Sequence, residues 1–114
     1  MEQLNKVELR GMVGNVTLFD FDNSHMARFT LATSYAYKTR NGTPVIETTW
    51  HNIRVWEGRA MQDISEIEVG KCMHVWGRIH QNDYAAPDGS MKRYIEIIAQ
   101  KVVAEEEKAE IQCA

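Results

Sequence analysis

Apolar side chains fall at every second position in five separate segments of this chain, and that period limits what the chain can fold into. Val7, Leu9, Gly11 and Val13 alternate with Lys6, Glu8, Arg10 and Met12, and Ala27, Phe29, Leu31 and Thr33 alternate with Arg28, Thr30 and Ala32. Residues 45–56 form a third segment, Met73, Val75, Gly77 and Ile79 mark a fourth, and residues 92–102 a fifth. Successive side chains of an extended strand point to opposite faces, so each segment reads as a β-strand with one face for a core. Between the second and third lies Asn41-Gly42, the strongest short hairpin signal, because both residues tolerate positive φ. Ala86-Pro87-Asp88-Gly89-Ser90 is a turn between the fourth and fifth. Gly14-Asn15 closes the first strand, and residues 15–25 read as a loop with room for a short strand.

The period changes once. Ala60, Ile64 and Ile67 stand at i, i+4 and i+7, one face of a short helix that Gly70 ends. The order is three strands, one helix, two strands. Short antiparallel strands must hide their edges, and closure into a barrel does so. The expected fold is therefore all-β with one short helix, a five-stranded OB-fold barrel (β-β-β-α-β-β). Gly11 and Gly77 inside strand patterns mark the bends such a barrel needs.

At 114 residues the chain suits one core. Residues 1–103 are expected to form that domain and residues 104–114 a short acidic C-terminal tail. The tail holds Glu105, Glu106, Glu107 and Glu110 against Lys108, which accounts for the net charge of -3 and leaves the rest neutral. A polyanion site must then come from local placement of charge. No apolar run approaches the roughly 20 residues of a membrane helix, and no secretion signal is visible, so a cytoplasmic protein is expected. Cys72 and Cys113 fit no metal-type spacing and read as free thiols in a reducing compartment.

Residues 48–56, TTWHNIRVW, carry the main functional signal. Thr49, His51, Ile53 and Val55 make a core face with one histidine in it. The opposite face is Trp50, Asn52, Arg54 and Trp56, two indoles with an arginine between them. Unpaired nucleic-acid bases expose flat π surfaces on which such rings stack, and nearby cations hold phosphates. Tyr35 and Tyr37 lead into Lys38 and Arg40, and Tyr84 precedes Lys92 and Arg93, so aromatic and basic residues interleave on several elements. Either tryptophan alone would more often be a packed core or interface residue. Trp76 shares a face with Cys72, His74 and Arg78 without loops or cations around it, which suits a protein contact. Zinc at Cys72, His74 and His80 is set aside, because His80 lies roughly 20 Å beyond His74 on an extended strand. Asp20-Phe21-Asp22 lacks a third ligand or a general base, and no nucleophile–base pair or phosphate loop is present, so no enzyme and no cofactor are expected.

Several of these segments resemble one family. Asn5-Lys6-Val7-Glu8-Leu9-Arg10-Gly11 is similar to its opening NKVxLxG, and Phe29-Thr30-Leu31-Ala32-Thr33-Ser34 to its second strand. Thr49-Trp50-His51, Val75-Trp76-Gly77-Arg78-Ile79, and Asp88-Gly89 with Arg93-Tyr94 resemble its TxWH, VxGxL and DG…RY motifs. The family is the bacterial single-stranded DNA-binding protein, matched in order over residues 5–102. The resemblance implies a nucleoid-associated homotetramer of OB-folds that wraps single-stranded DNA in replication, recombination and repair. It places the stacking positions on Tyr37, Trp50, Trp56 and Tyr84, with Lys6, Lys38, Arg40, Arg54, Arg59, Lys92 and Arg93 as the cations at hand. It places subunit contacts on Lys6, Glu8, Arg10, His51, Cys72, His74 and Trp76. The family's PExR element is missing from residues 15–25, and its acidic, Phe-terminated tip is not found in residues 104–114, so recruitment of repair enzymes through that tip is not implied. The alternatives are a dimeric accessory protein like primosomal replication protein B, or an OB-fold protein-interaction subunit.

Overall fold

The computed structural model describes residues 2–105. Five strands account for most of them: β1 (Val7–Phe21), β2 (Ser24–Lys38), β3 (Pro44–Trp56), β4 (Cys72–Ala85) and β5 (Met91–Ala104). They close into a barrel in the order β1-β2-β3-β5-β4. Every pairing is antiparallel except a short parallel contact of β3 with β5 at Ile53–Ile97 and Arg54–Ile98. β1 serves both sides of the barrel, because Val7–Met12 pair with β4 and Met12–Phe21 pair with β2. The alternation read from the sequence decides what faces inward. Val13, Phe29, Leu31, Ile53, Val55, Met73, Val75 and Ile97 are buried together in one core.

Glycine makes closure possible. A Cβ on Gly11 would stand 2.0 Å from the carbonyl oxygen of Ala32, and one on Gly77 would stand 2.3 Å from that of Ile98. At these two positions strands approach closer than any side chain permits. Gly77 also sits where the β4–β5 register shifts.

Two expectations are corrected here. Residues 15–25 are not mainly a loop: β1 continues to Phe21 and turns directly into β2. Gly14-Asn15 forms an irregularity between Val13 and Val16 rather than an end, and the Thr30 hydroxyl accepts from the Asn15 amide at 2.9 Å there. The helix after β3 shrinks to a 3₁₀ turn at Ile64–Glu66. Its apolar positions are nevertheless buried, with Ala60, Met61, Ile64 and Ile67 all in the core. Competing hydrogen bonds explain the difference. The Ala60 carbonyl accepts from Val102 of β5, Glu57 accepts from the Ile64 amide, and Asp63 accepts from the Ser65 amide and hydroxyl. These partners take the backbone groups that a helix would satisfy internally. The two Ser65 hydrogen bonds hold the Asp63 carboxyl below its ordinary range.

Cys72 is buried and disulfide-bonded, which corrects the expectation of a free thiol; Cys113 lies outside the described residues. Most of the acidic tail, residues 106–114, also lies outside them. The first tail glutamate, Glu105, donates its amide to the Cys72 carbonyl and meets His74 Nδ1 at 3.1 Å. Among the described residues no helix is long and apolar enough to cross a membrane.

Candidate nucleic-acid interface

The outer face of β1, β2 and β3 gathers three exposed aromatic rings, Phe21, Trp50 and Trp56. On β3 the alternation holds: Ile53 and Val55 are buried, while Trp50 and Trp56 are 59% and 40% exposed. Register places Trp56 opposite Met26 and Trp50 opposite Ala32 on β2, and Met26 opposite Phe19 on β1. Trp56 packs against the exposed ring of Phe21, with centroids 5.7 Å apart. Arg28 lies 5.6 Å over the ring of Phe19. One face therefore carries Trp50, Trp56, Phe19 and Phe21 with Arg28 and Arg54 between them. That is a row of flat π surfaces beside cations, the combination that binds unpaired bases and their phosphates.

Trp50 is seated by a glycine. A Cβ on Gly14 would fall 2.4 Å from Trp50 Cζ3 and 2.8 Å from Thr30 Oγ1, so the indole lies directly against the β1 backbone. Gly14→Ala is expected to displace the ring and to weaken binding to oligo-dT by roughly 1 kcal/mol, a fraction of one stacking contact, while the barrel still melts cooperatively. Titration of that variant at constant salt checks this, and wild-type affinity would remove the seat from the account.

The other expected stacking residues sit apart from this row. Beyond the barrel, β2 and β3 continue as a ribbon with both faces open. Tyr37 donates to Glu47 at 3.1 Å, and the Thr33 hydroxyl meets His51 Nε2 at 2.8 Å. These contacts define one ribbon face. Ser34 and Thr48 meet on the other, at 3.2 Å, which is the face of Trp50. Tyr37 and Tyr35, 6.0 Å apart, thus line the side opposite Trp50. His51 shares that side, where partial burial lowers its pKa. The ribbon tip is fixed by Gly42 at φ +83° and by Asn41, whose side chain accepts from the Thr39 and Thr43 hydroxyls. Tyr84 is exposed near the end of β4 and packs edge-on against Tyr94 at 5.8 Å.

The cations divide into two groups. Lys6, Lys38, Arg40, Arg59 and Lys92 are exposed and have no carboxylate partner among the described residues. Arg93 pairs with Asp83 at 3.0 Å on the surface. Arg54 is largely covered and binds Glu96 Oε1 at 2.8 Å. Glu96 is only 3% exposed, so Arg54 first neutralises a buried carboxylate. Asp20, considered above as a metal ligand, pairs with His25 at 2.7 Å, and no cluster suited to a metal ion occurs among the described residues.

A second outer face lies on β1 and β4. Glu8 stands opposite Trp76, Arg10 opposite His74 and Met12 opposite Cys72. His74 stacks on Trp76 at 3.8 Å and contacts Glu8 at 2.7 Å, while Lys101 lies 5.0 Å over the Trp76 ring. The expected subunit-contact residues Glu8, Arg10, Cys72, His74 and Trp76 are thus brought together, with Lys6 just before them. His51 is not among them.

A family model for the single-strand binding protein family matches residues 4–104. The chain belongs to that family. It is 33% identical over 101 residues to a single-stranded DNA-binding protein of Neisseria meningitidis, covering 87% of this chain and 58% of the relative. It is 30% identical over 102 residues to one from Xanthomonas axonopodis pv. citri, covering 87% and 56%. The chain thus spans a little over half the length of the curated relatives it matches. Among solved structures, a Plasmodium falciparum protein of this family in complex with single-stranded DNA superposes with a TM-score of 0.76 at 25% identity, covering 93% of this chain and 98% of that one. A Thermus aquaticus single-stranded DNA-binding protein superposes with a TM-score of 0.71 at 19% identity, covering 90% and 51%, and shares the fold.

Within this single-strand binding protein family barrel, Phe19, Phe21, Gly14, Tyr94 and Glu96 are residues that sequence reasoning did not select. Thr17, Phe19 and Phe21 do alternate with Val16, Leu18 and Asp20. That period was hidden by the two irregular residues before it and by a turn of only Asp22 and Asn23 after it. Nothing local distinguishes Glu96 from a solvated strand glutamate, because its burial comes from β3 and β4.

Proposed function

We propose that this chain binds single-stranded DNA with little regard to sequence, and so protects it during replication, recombination and repair. Bases stack on Trp50, Trp56 and the adjoining phenylalanines, and the DNA continues past Tyr84 and around the ribbon to Tyr37. Lys6, Arg28, Lys38, Arg40, Arg59 and Lys92 hold phosphates. The chain is a binding protein of the cytoplasm and nucleoid and performs no chemistry. The observation that carries this reading is the pair of exposed indoles beside two arginines on one barrel face, in a chain of the single-strand binding protein family. Titration with oligo-dT should quench tryptophan fluorescence strongly and resist competition by duplex DNA. No quenching, or preference for duplex, would contradict the reading. With six available cations at about 0.7 per phosphate, the slope of log K against log salt should be roughly -4 or shallower per protomer.

The same proposal makes the chain a homotetramer through the β1–β4 face, with a dimer as the smaller assembly. The basis is an outward tryptophan on which, among the described residues, His74 stacks and over which Lys101 lies. Trp76→Glu places a carboxylate in that contact and should reduce the mass seen by light scattering, because an unpaired charge in a desolvated interface is costly. An unchanged mass at wild-type stability would remove Trp76 from the interface.

A further inference from the structure

Between the aromatic face and β5 lies a cleft of about 280 Å³, with Phe29 and Ile53 as well as polar side chains in its lining. Asn15, Thr30 and Asn52 form one wall, and Tyr94 and Glu96 form the other. Its volume falls below the roughly 300 Å³ at which drug-sized sites begin, so it suits one small flat group. Asn52 follows Trp50 on the same face of β3, and Asn15 adjoins the Gly14 seat, so the cleft opens beside a stacking ring. Tyr94 is held in place by its hydroxyl, which accepts from Asn82 at 3.1 Å, and by the edge of Tyr84.

Glu96 gives the cleft its character. Arg54 Nη2 at 2.8 Å, Asn82 Nδ2 at 2.7 Å and His80 Nδ1 at 3.4 Å all converge on Oε1. The second oxygen, Oε2, receives no donor from the described residues. Oε2 is reached from the cleft, and the one buried side-chain atom without a partner among the described residues is Arg54 Nε beside it. An occupant that displaces water from Oε2 must supply a donor in its place, since an unmade hydrogen bond costs free energy. Arg28 also lines the cleft, but its guanidinium lies over the Phe19 ring, and a phosphate set against Glu96 would bring two anions together. A metal has only this one carboxylate. A nucleobase with an exocyclic amino group meets every condition: it stacks on Tyr94, gives its N–H to Glu96, and presents ring acceptors to the amides of Asn15 and Asn52.

We propose that this cleft is a base-reading subsite in which Glu96 Oε2 accepts the exocyclic amino group of cytosine, so that one position in an otherwise sequence-tolerant strand is discriminated. A base with a carbonyl at the same place, uracil or thymine, sets oxygen lone pairs against the carboxylate. The inference rests on single-strand binding as proposed above. Its test compares oligo-dC with oligo-dU of equal length, a pair that differs at that position without the thymine methyl, using the full chain. A good bidentate base contact discriminates by about 5- to 150-fold, and a single hydrogen bond falls at the low end, so dC should bind several-fold tighter than dU. In Glu96→Gln, whose amide can either donate or accept, the ratio should fall to within about twofold. The wild-type comparison stands alone if that variant does not fold. Equal wild-type affinity for dC and dU overturns the subsite and leaves single-strand binding intact, as does a dC preference that persists unchanged in a folded Glu96→Gln. Failure to bind either oligonucleotide overturns both.

Discussion

Arg54→Ala will lower the unfolding free energy of the barrel by about 3 kcal/mol, a far larger effect than loss of a surface cation. The substitution leaves Glu96 buried without its charge partner, and breaking a buried pair from one side costs roughly 3–5 kcal/mol. The low end applies because Arg54 keeps some exposure and because Asn82 and His80 still donate to Glu96. An exposed pair such as Arg93 with Asp83 contributes only about 0–1 kcal/mol. Arg54→Ala combined with Glu96→Gln should recover much of the loss, since no buried charge then remains. Denaturant unfolding of the two single variants and the double variant measures the coupling. Equal, additive losses of less than about 0.5 kcal/mol would show that the pair is not a unit.

Trp50→Ala will weaken binding to oligo-dT by about 1–3 kcal/mol with little change in melting temperature. The ring is more than half exposed, so its truncation opens no cavity. Trp56→Ala should lose binding by a similar amount and stability as well. Its indole packs on Phe21 and stands opposite Met26, which is 5% exposed. Truncation bares that apolar surface to water at about 25 cal/mol per Å². The two variants together separate stacking from packing. A Trp50→Ala protein that binds normally would remove the principal platform.

How much of this was legible beforehand depended on the range of the interactions. Alternation is a local signal, and it located all five strands and put Trp50, Arg54 and Trp56 on one face. The ends of strands were less legible. β1 passes through Gly14 because Thr30, fifteen residues later, supplies a hydrogen bond to Asn15. The spacing of Ala60, Ile64 and Ile67 reported burial correctly but conformation wrongly, since Glu57, Asp63 and Val102 claim the backbone groups of that segment. The site followed the same rule. Exposed aromatics announce themselves by standing on a polar face. The burial of Glu96 and the occupation of Arg54 exist only once β3 and β5 meet, through two residue pairs in a parallel contact.

The central claim is that the β1–β2–β3 face, and not the β1–β4 face, takes up the bases. The chain has three tryptophans, Trp50 and Trp56 on the first face and Trp76 on the second. Protein labelled with 5-fluorotryptophan should give three ¹⁹F resonances, assignable by single Trp→Phe substitutions. On addition of oligo-dT, the Trp50 and Trp56 resonances should shift or broaden as bases stack on them, while Trp76 stays where it was. A response at Trp76 with Trp50 and Trp56 unmoved would contradict the account.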